Sequence, residues 1–90
     1  MAWRIDFDPA ATKELDKLGQ EPARRIIRFL SDRVATLDDP RSIGAALKGS
    51  KFGEFWKYRV GDYRVIAAIE DAALRILVVR IGHRRGVYKR

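Results

Sequence analysis

The sequence predicts a single α+β domain over residues 1–90, ordered strand, helix, helix and then three strands (β-α-α-β-β-β), with the helices on one face of a mostly antiparallel sheet. Three observations predict it. The apolar period runs from two, to helical, and back to two along the chain. The pair Gly61-Asp62 separates two alternating runs, a two-residue hairpin signal. Ninety residues that are 47% hydrophobic suffice for one core and no more.

The elements follow in order. Trp3, Ile5 and Phe7 alternate with Arg4 and Asp6, a strand with one buried face. Asp8-Pro9 then supplies an N-cap and a first helical residue, and Gly19 stands where a helix ends. Between them Ala11, Leu15 and Leu18 make an apolar stripe. Glu21-Pro22 restarts the chain, and Ala23, Ile26, Ile27, Leu30, Val34 and Leu37 recur at helical spacing over about four turns. Arg24, Arg25, Arg28, Asp32 and Arg33 fall on the solvated side. A short joint makes the two helices an antiparallel hairpin. Asp38-Asp39-Pro40 ends the second helix, and 41–51, with Gly44, Gly49 and Ser50, is read as irregular. Strands follow at Glu54–Val60, Tyr63–Glu70 and Leu74–Ile81, with a turn near Asp71-Ala72-Ala73.

The hairpin fixes a register. Val60 pairs with Tyr63, Arg59 with Arg64, Tyr58 with Val65, Lys57 with Ile66 and Trp56 with Ala67. Alternation then turns Trp56, Tyr58, Val60, Tyr63, Val65, Ala67 and Ile69 toward the helices, and Phe55, Lys57, Arg59, Arg64, Ile66 and Ala68 away. Three cations therefore share one face, with Arg59 directly across from Arg64. Like charges so placed cost roughly 0.2–1 kcal/mol. No acidic residue at positions 55–60 or 63–68, the part of the hairpin that holds these cations, shares that face, so a phosphate-binding surface explains it better than a solvated face with its charges paired.

Nineteen Lys and Arg against twelve Asp and Glu give a net charge of +7, and the pI is about 10.3. That balance fits nucleic acid, an anionic membrane surface or an acidic protein. No apolar run reaches the length of a membrane span, and the N-terminus has no apolar segment of the signal-peptide kind. A cytoplasmic location is expected. With no cysteine and the single histidine His83, thiol chemistry and a multi-histidine metal site within one chain are excluded. The tail adds His83, Arg84, Arg85, Tyr88, Lys89 and Arg90. Tyr88 is suited to stacking on a base or to proton transfer, and equally to packing on a sheet edge. The Arg-rich helix, with Lys13 and Lys17, is a solvated face or a contact for an acidic partner.

Phe7-Asp8-Pro9-Ala10, Leu47-Lys48-Gly49, the run Trp56 to Val65 and Ile81-Gly82-His83-Arg84-Arg85-Gly86-Val87-Tyr88 together resemble the RelE/ParE toxin superfamily, over essentially the whole chain. Within it the residues favour the RelE branch. That resemblance implies a ribosome-dependent endoribonuclease toxin that cuts messenger RNA, without metal or small-molecule cofactor, using Lys, Arg and Tyr. It implies catalytic positions at Lys57, Arg59, Arg64, Arg84 and Tyr88. His83 is a further candidate acid, and Lys48, Lys51, Arg85, Lys89 and Arg90 are candidate RNA contacts.

The chain departs from the family pattern in carrying Arg59 where a second Lys stands, and in a shorter hairpin turn and Arg84–Tyr88 interval. Arg59 stays charged, so proton transfer is left to Lys57, His83 or Tyr88. The resemblance also implies a RelB-like antitoxin partner, for which the Arg-rich helix and the sheet edge are candidate contacts. Two other readings are a ParE-like toxin that inhibits DNA gyrase without catalysis, and a basic nucleic-acid-binding module.

Overall fold

In the computed structural model, residues 3–47 and 55–83 are described. Strand β1 (Arg4–Phe7) leads into helix α1 (Pro9–Leu18) through the Asp8 cap, whose carboxylate accepts from the Ala10 N–H at 3.1 Å. Gly19 alone joins α1 to α2 (Gln20–Phe29). Its φ of 94° belongs to the left-handed region that favours glycine. The second helix therefore starts just before Glu21-Pro22.

It continues from Leu30 to Val34 as one π turn, closed by the Ala35 N–H on the Leu30 carbonyl at 2.8 Å. The extra residue lets both Val34 and Ala35 face the core, and the Ala35 carbonyl accepts from Trp3 N–H. Ile26, Leu30 and Val34 are fully buried. Ile27, expected in the same stripe, is 43% exposed, because a stripe holding two adjacent residues is wider than the contact the sheet offers.

The described residues form a sheet of five strands in the order β1-β5-β4-β3-β2. Strands β3 (Phe55–Val60), β4 (Tyr63–Glu70) and β5 (Arg75–His83) form the meander, and β1 joins it parallel to β5. All five hairpin pairs expected from the sequence are present, Arg59 opposite Arg64 included. Gly61 has φ 61° and no positive φ occurs at Asp62, as in a type II′ turn with glycine first.

A second expectation is corrected. The stretch read as irregular contains a 3-10 turn (Pro40–Ile43), capped by Asp39, and a two-residue strand β2 (Ala45–Ala46) antiparallel to β3. Two residues have no period to read, and their order comes from pairing with Lys57 and Trp56. The Asp71-Ala72-Ala73 turn is a 3-10 turn leading to Leu74.

The core lies between the helices and one sheet face. Ala11, Ile26, Leu30 and Val34 meet Tyr58, Val65, Ala67, Ile76 and Val78, all at most 1% exposed. The face expected to turn inward does so.

A cationic groove on the far face of the sheet

On the far face the register builds cross-strand rows. Arg59, Arg64 and Gly82 form one, and Ala45, Lys57, Ile66 and Arg80 the next. Lys57, Arg59 and Arg64 thus come together, as the hairpin register requires. They line an open groove of about 250 Å³ with Ile43, Gly44, Ala45 and Tyr58. Arg59 is exposed, whereas Lys57 and Arg64 are half-buried. Nη1 of Arg64 is shielded from solvent and, among the described residues, donates to no acceptor. A buried donor of a charged group left unpaired is unfavourable by about 1–3 kcal/mol. An oxyanion in the groove would remove that penalty once the Arg64 side chain turns Nη1 out to meet it.

The second wall of the groove was invisible in the sequence. Ala45 pairs with Lys57, so its methyl stands on the cationic face, and Ile43, two residues earlier, lies beside it at 43% exposure. This wall is fastened from the core side. The Tyr58 hydroxyl donates to the Pro40 carbonyl at 2.7 Å, and burial pushes its pKa up to about 12. Gly44 rests on the Tyr58 ring so closely that a Cβ there would lie 2.9 Å from Cε1.

Arg41 anchors the same turn to the distant β4–β5 connection, donating to both oxygens of Asp71 at 3.2 and 2.6 Å. These bonds raise the Arg41 pKa and hold the Asp71 carboxyl below its ordinary value. The Arg41 guanidinium also lies over the Trp56 ring, 5.9 Å from its centroid. A glycine and an aromatic at matching positions of two elements are the only sequence signals for this wall, and neither identifies its partner.

His83 is not brought into the groove. It pairs with Tyr63 and sets its ring edge-on to that ring, at 5.9 Å between centroids, on the side opposite Arg64. A register shift between Ile66 and Ala67 is the cause, since it adds a residue to β5 between the core positions Val78 and Ile81. The end of β5 is held from α1 instead. Glu14 accepts from the Ile81 N–H at 2.7 Å and from Arg80 Nε at 3.0 Å, closing the edge that β1 leaves open beyond Val78.

Arg84, Arg85, Tyr88, Lys89, Arg90, Lys48 and Lys51 lie outside the described residues. Among the described residues no three His, Cys, Asp or Glu side chains gather as metal ligands, and no helix is long and apolar enough to cross a membrane.

Comparison with known proteins places these features in a family context. Residues 5–88 match the family described as ParE toxin of type II toxin-antitoxin system, parDE. The chain is 31% identical over 84 residues to the mRNA interferase toxin RelE of Escherichia coli K12, covering 93% of this chain and 85% of that one. It is 26% identical over 90 residues to toxin RelG of Mycobacterium tuberculosis, covering all of both. A chain in the crystal structure of the toxin-antitoxin complex RelBE2 from Mycobacterium tuberculosis has the same fold, with a TM-score of 0.82 at 21% identity over 93% of each chain.

Proposed function

The chain belongs to the RelE/ParE superfamily of toxins of type II toxin–antitoxin systems, and from that premise we propose that it is a metal-independent endoribonuclease that cleaves messenger RNA on the ribosome. The observation that carries the proposal is the unpaired, shielded Nη1 of Arg64 beside Arg59 and Lys57 in one groove. A toxin acting only by binding a protein gains nothing from a buried donor without an acceptor. A phosphodiester in the groove supplies one when the guanidinium turns toward it.

In this reading the ribose 2′-hydroxyl attacks the adjacent phosphorus in line. The P–O5′ bond breaks, leaving a 2′,3′-cyclic phosphate and a 5′-hydroxyl. The 2′-hydroxyl proton leaves to a base and the departing oxygen takes one from an acid. Arg64 and Arg59 stabilise charge growing on the phosphorane oxygens, a preorganised electrostatic role. Arg84, matched by resemblance, joins them. Lys57 and Tyr88 are the groups that move protons, since neither guanidinium gives one up near neutral pH. His83, whose ring faces Tyr63, takes no step. The partner that restrains the activity is a RelB-like antitoxin, as in the complexes formed by the structural relatives.

The match to the ParE family favours a second reading, inhibition of DNA gyrase without catalysis. One pair of assays separates the two. Primer extension on a translated message reports cleavage, and supercoiling by gyrase reports inhibition. The proposal expects cuts in the first, no effect in the second, and loss of the cuts in a Lys57→Ala/Arg64→Ala/Arg84→Ala variant. Cuts of unchanged intensity from that variant, or gyrase inhibition with an intact message, overturn it.

A further inference from the structure

We infer that the wall formed by Ile43, Gly44 and Ala45 is the seat of the nucleobase attached to the phosphate that Arg64 holds, so that the groove takes one nucleotide unit and contacts its base without reading its identity. The inference rests on the anion-binding reading of the groove and goes beyond it, because charge alone specifies phosphate and nothing of the nucleoside.

The two walls differ in chemistry. Lys57, Arg59 and Arg64 offer donors on one side, whereas Ile43, Gly44 and Ala45 offer only methyl and methylene groups and backbone on the other. The register places them side by side on one face: Ala45 is directly across from Lys57 on β3, and Ile43 lines the same groove. A free inorganic anion would use the first wall only. Ile43 is one of three large hydrophobic side chains exposed among the described residues, and the other two, Ile27 and Leu74, lie away from the groove. A volume of about 250 Å³ is on the scale of a single nucleotide unit.

The wall is also built to hold its height. Gly44 sits against the Tyr58 ring, the Tyr58 hydroxyl fixes Pro40, and Arg41 ties the turn to Asp71. A loop serving only as a connection has no need of three anchors. The wall carries no side-chain donor or acceptor that could distinguish one base edge from another, so the contact is sequence-tolerant, as apolar packing on a base face is.

The test pairs a protein change with a ligand change. The probes are a 2′-O-methyl trinucleotide, which lacks the attacking hydroxyl and stays intact, and the same backbone with abasic positions. Both are titrated by NMR at low ionic strength, where phosphate contacts are strongest. Ile43→Ala is expected to weaken the intact probe about fivefold and the abasic probe less than twofold, from loss of apolar contact with the base. Ile43→Phe is expected to tighten the intact probe about threefold or more, by stacking, and to leave the abasic probe unchanged. Arg64→Ala is expected to weaken both probes alike.

Equal losses on both probes for Ile43→Ala, or none on either, overturn the inference while leaving the anion groove standing. Unchanged binding of both probes to Arg64→Ala overturns the groove itself. Ile43 is 43% exposed and lies outside the core cluster, so its variants are expected to keep the fold, which a thermal melt checks.

Discussion

Replacing Arg64 with methionine should make the free protein more stable while removing its activity. In the folded chain Nη1 of Arg64 is shielded and unpaired, a deficit of about 1–3 kcal/mol. Arg64 also stands opposite Arg59, a like-charge pair that adds roughly 0.2–1 kcal/mol of the same sign. Methionine keeps an unbranched apolar stem of similar reach and brings no donor. Allowing for the packing that a shorter side chain loses, the gain is about 1–2 kcal/mol, or roughly 5–10 °C in melting temperature for a domain of this size.

Urea unfolding of the antitoxin-free protein measures it, with and without millimolar inorganic phosphate. Phosphate supplies the missing acceptor and should stabilise the wild type more than Arg64→Met, by preferential binding to the folded state. Message cleavage should fall about a hundredfold or more, as when one preorganised donor to a developing oxyanion is lost. A variant no more stable than the wild type, or phosphate raising both midpoints equally, would refute the view of Arg64 as a strained, waiting anion ligand.

Three further outcomes test how the groove is built. Gly44→Ala sets a methyl 2.9 Å from the Tyr58 ring, so overpacking should cost about 1–3 kcal/mol in urea unfolding and weaken trinucleotide binding as β2 is pushed outward. Tyr58 has its pKa raised to about 12 by burial, against about 10 in the unfolded chain. Its neutral form is the one the fold favours, so its contribution is whole below pH 10 and is lost as the pH rises through 12. The loss is about 1.4 kcal/mol per pH unit, and Tyr58→Phe should flatten that part of the stability profile. Glu14→Ala leaves the Ile81 N–H without its acceptor and Arg80 without its partner. Amide exchange at Ile81 should quicken about tenfold or more, at a cost of about 1–2 kcal/mol.

Local chemistry was legible in the sequence wherever the decisive residues are neighbours in the chain. Asp8-Pro9 and Gly19 bounded α1, and Gly61-Asp62 set a two-residue turn from which every pair of the β3–β4 hairpin follows. Because side chains alternate strictly along a strand, that turn alone put Lys57, Arg59 and Arg64 on one face. The +7 charge indicated an anionic partner, and the similarity of the whole chain to the toxin superfamily narrowed its class.

Tertiary structure decided what depends on residues far apart. Ala45-Ala46 is a strand only because β3 pairs with it, so the second wall of the groove had no local signature. The run from Leu74 to Ile81 is nearly all apolar and shows no parity. Only its pairing with β4, bulge included, turned His83 toward Tyr63 and away from the groove. The unpaired nitrogen of Arg64 belongs to the same class. The sequence put a cation on a face, but burial is a property of surrounding atoms, and only the assembled sheet shields that donor from water.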